Sequence, residues 1–357
     1  MLPARTICFG VAAAALSSAA GLLGLEVVVR AAFAKETDTA LLRARPQPAS
    51  VVPFVRRIPH PELLYDLKPD FRVIGWNGAR VETDASGCCR VVPGRPADDG
   101  PGTRIAILGD SSPFPWKLPA EDGYAERLRP LLSKRGPVAI RSYAVPGYNS
   151  QQNRVVLREK ALPWRPDLIV LHYDHNDSEP VDDSRTGFMA PEYGDNALHS
   201  MLVKLVLRRL RASASVRTTI VAPGDGRPER LLHGYRYEGP QFEQHMREMK
   251  TIADLAAAAK VPVVVFLWNP WLTPHADPDK DPFYALLHKP VAERLRGMGF
   301  RVVDSYGLYQ DYMRRERRSD LRFLWADAED AHPNAAGHRL IANHLAGEVL
   351  RTLAARP

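Results

Sequence analysis

From residue 103 onward the chain alternates short apolar runs with longer stretches of helical spacing, and this alternation limits the fold more than any other feature. The runs at 104–108, 138–144, 168–173, 261–268 and 301–305 are mostly apolar, and several are rich in β-branched residues. Near-continuous apolar strands belong to sheets covered on both faces. Helical patterns occupy 120–134, 150–161, 241–259, 285–298 and 334–353. Strand and helix alternating at this spacing predict an α/β fold, a doubly wound parallel sheet with helices on both faces. Ligands of such sheets bind beyond the carboxyl ends of the strands. At 357 residues, 45% hydrophobic and 25% charged, the chain has the length and apolar content for one such core.

Four short motifs carry chemistry. Gly109-Asp110-Ser111-Ser112 follows the first apolar run directly, and Val145-Pro146-Gly147-Tyr148-Asn149 follows the second. His175-Asn176-Asp177 follows the third, and Glu329-Asp330-Ala331-His332-Pro333-Asn334 precedes the last helical stretch. Ser111, Gly147 and Asn176 therefore each fall at a strand's carboxyl end. A serine hydroxyl is a poor nucleophile at neutral pH and needs a base within hydrogen-bond reach. Imidazole titrates near that pH. Among 11 histidines, His332 is the best candidate, because only it sits in Asp-Ala-His-Pro-Asn ahead of a helical run. His172, His175, His338 and His344 are its neighbours in sequence or motif. Ser111 also suits a helix N-cap, since Ser-Ser-Pro is a start signal, and the two roles coincide if a helix begins there. Gly147 lacks a Cβ, which permits close backbone approach; a plain turn after Pro146 is the alternative. Asn176 alternatively caps a turn. Asp174 and Asp177 read better as loop residues than as binders of substrate hydroxyls.

Together these motifs resemble the SGNH/GDSL hydrolase (esterase/lipase) family over residues 103–350, with Ser111, Gly147, Asn176 and His332 as the four signature residues in order. The resemblance implies a flavodoxin-like sheet and hydrolysis of esters, including acyl groups on carbohydrates and lipids. It implies Ser111 as nucleophile and His332 as base. The Ser111 N–H, the Gly147 N–H and the Asn176 side-chain amide would be the oxyanion donors. No cofactor and no metal are implied. The family usually places its acid three residues before the histidine, where this chain has Glu329. Asp330 stands two residues before and fits a shorter Asp-x-His form; it is preferred, Glu329 stays open, and Asp327 is a remote third. The reading is a serine esterase acting on a small-molecule, glycan or lipid ester. Its rivals are an O-acyltransferase on the same scaffold and a noncatalytic binding domain of a polysaccharide system.

The remaining features bear on organisation and place. Residues 6–25 carry no charge and follow Arg5. Twenty residues at the helical rise span about 30 Å, a bilayer core. Ala32-Phe33-Ala34 ahead of Lys35 offers a cleavage pattern. An uncleaved signal anchor in 1–35 is preferred over a cleaved signal, with a buried helix as the third choice. Either favoured reading puts the rest of the chain in the periplasm or outside the cell. Residues 36–102 read as a linker and an N-terminal extension with a strand or two in 65–73, ending at a Pro- and Gly-containing boundary in 96–102. Residues 103–357 read as the hydrolase domain, with 178–240 as a cap-like insertion. Within it, 201–211 spaces Lys204, Arg208 and Arg211 on one helical face, more simply a surface helix than a membrane contact. The net charge of +7 is a mild excess with no nucleic-acid motif. Cys8 lies in the apolar segment, and Cys88 and Cys89 are adjacent, a geometry that disfavours a bridge. Trp116, Trp268 and Trp271 follow motif or strand ends; packing is the simpler role, stacking on a sugar ring the alternative.

Overall fold

The computed structural model describes residues 21, 24, 25, 52–76, 79–92, 101–178, 239–268, 278–281, 284–319, 321–327 and 330–355. All but the first three belong to one compact unit, Pro46–Ala190 with Thr219–Pro357; the other unit is Met1–Arg45 with Pro191–Thr218. The expectations for nearly all of 1–35, for most of 178–240, for Trp271 and for Glu329 lie outside the described residues. Among the described residues no helix is long and apolar enough to cross a membrane.

The centre is a five-stranded parallel sheet of β6 (Thr103–Leu108), β7 (Val138–Ser142), β8 (Leu168–Tyr173), β9 (Val263–Leu267) and β10 (Arg301–Asp304). Its spatial order is β10-β9-β8-β6-β7 with every pairing parallel. Counted in chain order this is the flavodoxin-like arrangement, with the topological switch beside β6. Every residue of β8 and β9 is buried. Successive side chains of a strand point to opposite faces. Ile105, Ile107, Leu168, Val170, Val264 and Phe266 accordingly join one core. Ala106, Leu108, Ile169, Leu171, Val263 and Val265 join the other.

Helices cover both faces. Tyr124, Leu128 and Leu132 of α1 (Tyr124–Leu132) pack in the first core. The second core takes Val155 and Val156 of α2 (Ser150–Val156), Phe242, Met246, Met249 and Ile252 of α3 (Gly239–Ala258), and Val291, Ala292 and Leu295 of α4 (Lys289–Gly297). Tyr306, Tyr309 and Met313 of α5 (Ser305–Glu316) and Leu340, Ile341 and Leu345 of α6 (Ala335–Ala354) return to the first. Helix starts follow their caps. Asn149 Oδ1 accepts from Gln152 N at 3.1 Å while Gln152 Oε1 accepts from Asn149 N at 3.3 Å, a capping box for α2. Asn334 Oδ1 takes the N–H groups of Ala336 and Gly337 at 2.9 and 3.0 Å and opens α6. The sequence reading misses α5, because its apolar positions are aromatic and interrupted by Arg and Asp; its Asp304 cap, accepting from Tyr306 N at 2.9 Å, is the signal that marks it. The helix expected over 120–134 is α1, and the alternative role of Ser111 as a helix N-cap is not seen. Instead 111–117 are turns, and α1 begins only at Tyr124.

The extension is more ordered than its sequence suggests. β1 (Val55–Arg57) and β2 (Tyr65–Leu67) form one antiparallel pair. β3 (Arg72–Trp76), β4 (Ala79–Thr83) and β5 (Arg90–Val91) form a small antiparallel sheet. Strands of two to five residues are too short to show a period. Phe54, Leu63, Tyr65, Leu67 and Val81 are buried in the same core as α2, α3 and α4. A final hairpin, β11 (Trp325–Asp327) with β12 (Asp330–Pro333), carries His332.

Gly109 turns the chain out of β6 with φ of +147°. A Cβ there would lie 2.7 Å from Pro113 Cγ and 3.0 Å from the His172 carbonyl oxygen. Gly109→Ala is expected to lose on the order of 2 kcal/mol, from strain and overpacking together. Denaturant unfolding reads this directly, and a loss below about 0.5 kcal/mol, the ordinary surface-substitution range, would refute it.

Candidate active site

The four motifs meet at the carboxyl end of the sheet. Ser111 follows β6, Gly147 follows β7, Asn176 follows β8, and β12 brings His332 to Ser111. The Ser111 Oγ to His332 Nε2 distance is 2.7 Å across 221 residues of sequence. Asp330 Oδ1 holds the other ring nitrogen, Nδ1, and also accepts the His332 backbone N–H at 3.1 Å. With a carboxylate on Nδ1, the ring proton sits there and Nε2 is left to accept from the serine. Lys117 Nζ lies 2.7 Å from the second Asp330 oxygen, Oδ2. The Trp116 ring stacks on the imidazole at 5.5 Å between centroids, with 28° between planes. Trp116 and Trp268 are both buried, the packing role preferred from sequence.

A buried carboxylate supports the serine from behind. Asp110 Oδ1 accepts the Ser112 N–H at 3.0 Å, and Asp110 Oδ2 accepts from Asn176 Nδ2 at 2.8 Å and lies 3.4 Å from Ser111 Oγ. Ser112 Oγ donates to Asp174 Oδ2 at 2.9 Å, so Asp174 is a structural partner of the motif. The 3-10 turn His175–Ser178 carries Asn176. Asp177 closes it by accepting the Asp174 N–H at 2.8 Å, and Ser150 Oγ donates to the Asp177 carbonyl at 3.0 Å. Gly147 is the third residue of a turn closed by Tyr148 N to Val145 O at 3.1 Å, with φ of +79°. Pro then Gly with positive φ is the type II pattern, which a residue with a Cβ enters only with strain. Val145 N donates to the Gly109 carbonyl at 3.3 Å and ties that turn to the serine motif.

The electrostatics set His332 apart from His172, His338 and His344. Burial lowers the His332 pKa, but the hydrogen bond and charge of Asp330, with Asp110 and Asp174 behind, outweigh it, and the net shift is upward. Asp330 moves the opposite way. Burial would raise it, but the bond from His332, its charge and Lys117 bring it well below the usual carboxylate range. Burial, then Asp174, raises Asp110. His172 and His338, both fully buried against the Tyr124 ring, are pushed by burial down to about 4 and about 3. His344 is also lowered by burial. In all three, burial disfavours the charged form; His172 and His338 belong to the core and His344 to α6. Cys88 and Cys89 are free thiols, and burial pushes Cys89 far up, away from reactivity. Among the described residues no group of His, Cys, Asp and Glu is arranged to hold a metal ion.

Sequence reasoning passes over Asp110, although it stands inside the motif, and over Lys117, whose position six residues beyond Ser111 gives no signal. A protein-family model described as GDSL-like Lipase/Acylhydrolase matches residues 107–340. The chain belongs to that family. It is, by that membership, a carboxylic ester hydrolase, as the motifs led us to expect. No curated protein matches it. Among solved structures it is similar to a psychrotrophic esterase from Pseudoalteromonas sp., 12% identical over 71% of this chain and 100% of that one, with a TM-score of 0.41. It is also similar to an acetylxylan esterase from Geobacillus stearothermophilus, 12% identical over 72% and 97%, with a TM-score of 0.42.

Proposed function

We propose that this esterase works through Ser111, His332 and Asp330, with the Ser111 N–H, the Gly147 N–H and the Asn176 amide as oxyanion donors. The observation that carries the reading is the 2.7 Å contact between Ser111 Oγ and His332 Nε2, backed by Asp330 on Nδ1. Ser111 Oγ attacks the ester carbonyl while Nε2 takes its proton. The tetrahedral oxyanion collapses, and His332 hands that proton to the departing alcohol. Water, deprotonated in turn by His332, then attacks the acyl-serine and frees the carboxylate. Fixed donors facing the oxyanion supply the largest share of the rate.

The substrate proposed is an acyl ester on an envelope glycan or a lipid, with water as acceptor. The test is a panel of p-nitrophenyl esters and acetylated sugars, run beside fluorophosphonate labelling. An inert domain would neither turn over nor label. Transfer to an added sugar in place of hydrolysis would reassign the enzyme as an O-acyltransferase.

We also propose that residues 1–35 anchor the enzyme and leave it outside the cytoplasm. What supports this is the uncharged run 6–25 after Arg5. Full-length protein is expected to stay in the membrane through carbonate extraction, and a reporter after Pro357 to be active only on the outer side. A mature N-terminus at Lys35 would replace the anchor with a cleaved signal.

A further inference from the structure

The family match begins at residue 107, so the extension at 52–92 lies outside it. Its residues nevertheless grip the loop that touches the acid–base pair. Arg90, on β5, is 9% exposed. One guanidinium nitrogen, Nη1, donates to the carbonyls of Phe114 and Pro115 at 2.7 and 2.8 Å. The other, Nη2, donates to the Arg80 carbonyl at 3.0 Å and to the Leu118 carbonyl. The guanidinium plane also lies 4.9 Å from the Phe114 ring, whose other partner is Phe54, stacked at 4.9 Å and 18°.

The Pro115 carbonyl also accepts the Leu118 N–H at 3.1 Å, a bond within the loop, and Arg90 adds the tie from that loop to the extension. Residues 111–117 are turns, with no ladder to take up their backbone groups. Lys117 itself sits at φ +61°, a left-handed conformation a residue with a Cβ holds only when its surroundings impose it. Between the gripped carbonyls stand the two side chains that meet the pair: Trp116 on the His332 ring and Lys117 on Asp330 Oδ2. An arginine has five donors in a rigid fork, and a lysine has three on one point charge. The fork makes four such bonds from two separate nitrogens, to Phe114, Pro115 and Leu118 on the loop and to Arg80 on the extension, a number one ammonium cannot match.

We propose that Arg90 is a positioning residue of the active site, holding the Phe114–Leu118 loop so that Trp116 and Lys117 fix the Asp330–His332 pair. The 52–92 extension is then part of the catalytic centre. This rests on the Ser111–His332–Asp330 reading. Arg90 touches no reacting atom and acts only through the loop. Lys117 draws on the Asp330 charge that raises the His332 pKa. The other charged groups facing His332 are Asp110 and Asp174.

The test compares Arg90→Lys, Lys117→Met and the double variant in the full chain. Arg90→Lys is expected to lower kcat about 10- to 100-fold with little change in KM, the penalty of a misplacement near 1 Å. Lys117→Met should move the acidic limb of the pH–rate profile upward, because Asp330 then acts on His332 unopposed. In the Arg90→Lys background the same change should move it no further, since Lys117 has already left Asp330. Wild-type kcat in folded Arg90→Lys, or additive effects in the double variant, overturns the proposal. If Arg90→Lys does not fold, Phe54→Leu loosens the same loop from the other side of Phe114, and unchanged kcat there overturns it equally. Fluorophosphonate separates the two failures. Wild type that never labels at Ser111 defeats the catalytic reading, whereas labelling of wild type and Arg90→Lys at one rate defeats the role of Arg90.

Discussion

Ser111→Ala is expected to lose about 10^4- to 10^6-fold in kcat, the scale on which a serine nucleophile is lost. The variant should keep its fold. The side chain is buried but small, and the hydroxyl's main partner, His332 Nε2, sits on a ring whose side chain is 30% exposed, so water takes its place. Asp110 keeps its bonds from Ser112 N and Asn176, which do not involve the serine oxygen. Any residual rate comes from binding and the oxyanion donors alone. Turnover of p-nitrophenyl acetate within about tenfold of wild type would remove Ser111 from the mechanism. So would a fluorophosphonate adduct on the variant.

Asp330→Asn carries the second large effect, about 10^3- to 10^4-fold in kcat. An amide at this position offers Nδ1 a donor as readily as an acceptor and no longer enforces the tautomer that leaves Nε2 basic. It also removes the hydrogen bond and charge that raise His332. The base must be neutral to accept the serine proton, so activity falls as pH drops through the His332 pKa. With that pKa lowered, the acidic limb of whatever rate remains should move to lower pH. Glu329→Gln should stay within about threefold of wild type, since Asp330 already holds Nδ1 on the proposed reading. Collapse in Glu329→Gln with normal turnover in Asp330→Asn would transfer the role to Glu329, and normal turnover in both would mean His332 works without either.

The sequence speaks plainly where the physics is local or periodic. Strands such as 168–173 announce themselves because both faces are covered and nearly every side chain is apolar. The placement of Ser111, Gly147 and Asn176 is legible because each follows an apolar run, and each stands just beyond a strand of the parallel sheet. Legibility fails where structure depends on partners far away in the chain. Strand β5 has two residues, and nothing in Arg-Val reports that the arginine will reach carbonyls about 25 residues on. Lys117 is one basic residue among 48 until its loop is folded against Asp330. Motif spacing alone favours Asp330 over Glu329; the hydrogen bonds to Nδ1 and to the His332 N–H are what the fold adds.

The two tyrosines that clasp the extension to the Gly147 turn have a consequence for the order of assembly. Tyr65 Oη donates to the Pro146 carbonyl at 3.2 Å, Tyr148 Oη donates to the Tyr65 carbonyl at 2.7 Å, and Gln152 Nε2 donates to the Leu63 carbonyl at 2.7 Å. These partners lie 81 to 89 residues apart in sequence. During synthesis Phe54, Tyr65 and Leu67 therefore emerge long before anything exists to bury them. Closing loops of that length is slow, and apolar surface left waiting is open to aggregation. Residues 52–92 are made early but dock only after β6, β7 and α2 exist. Ser111 and His332 come within 2.7 Å later still, when the last hairpin closes, and on the proposed mechanism the nascent enzyme stays inactive until then.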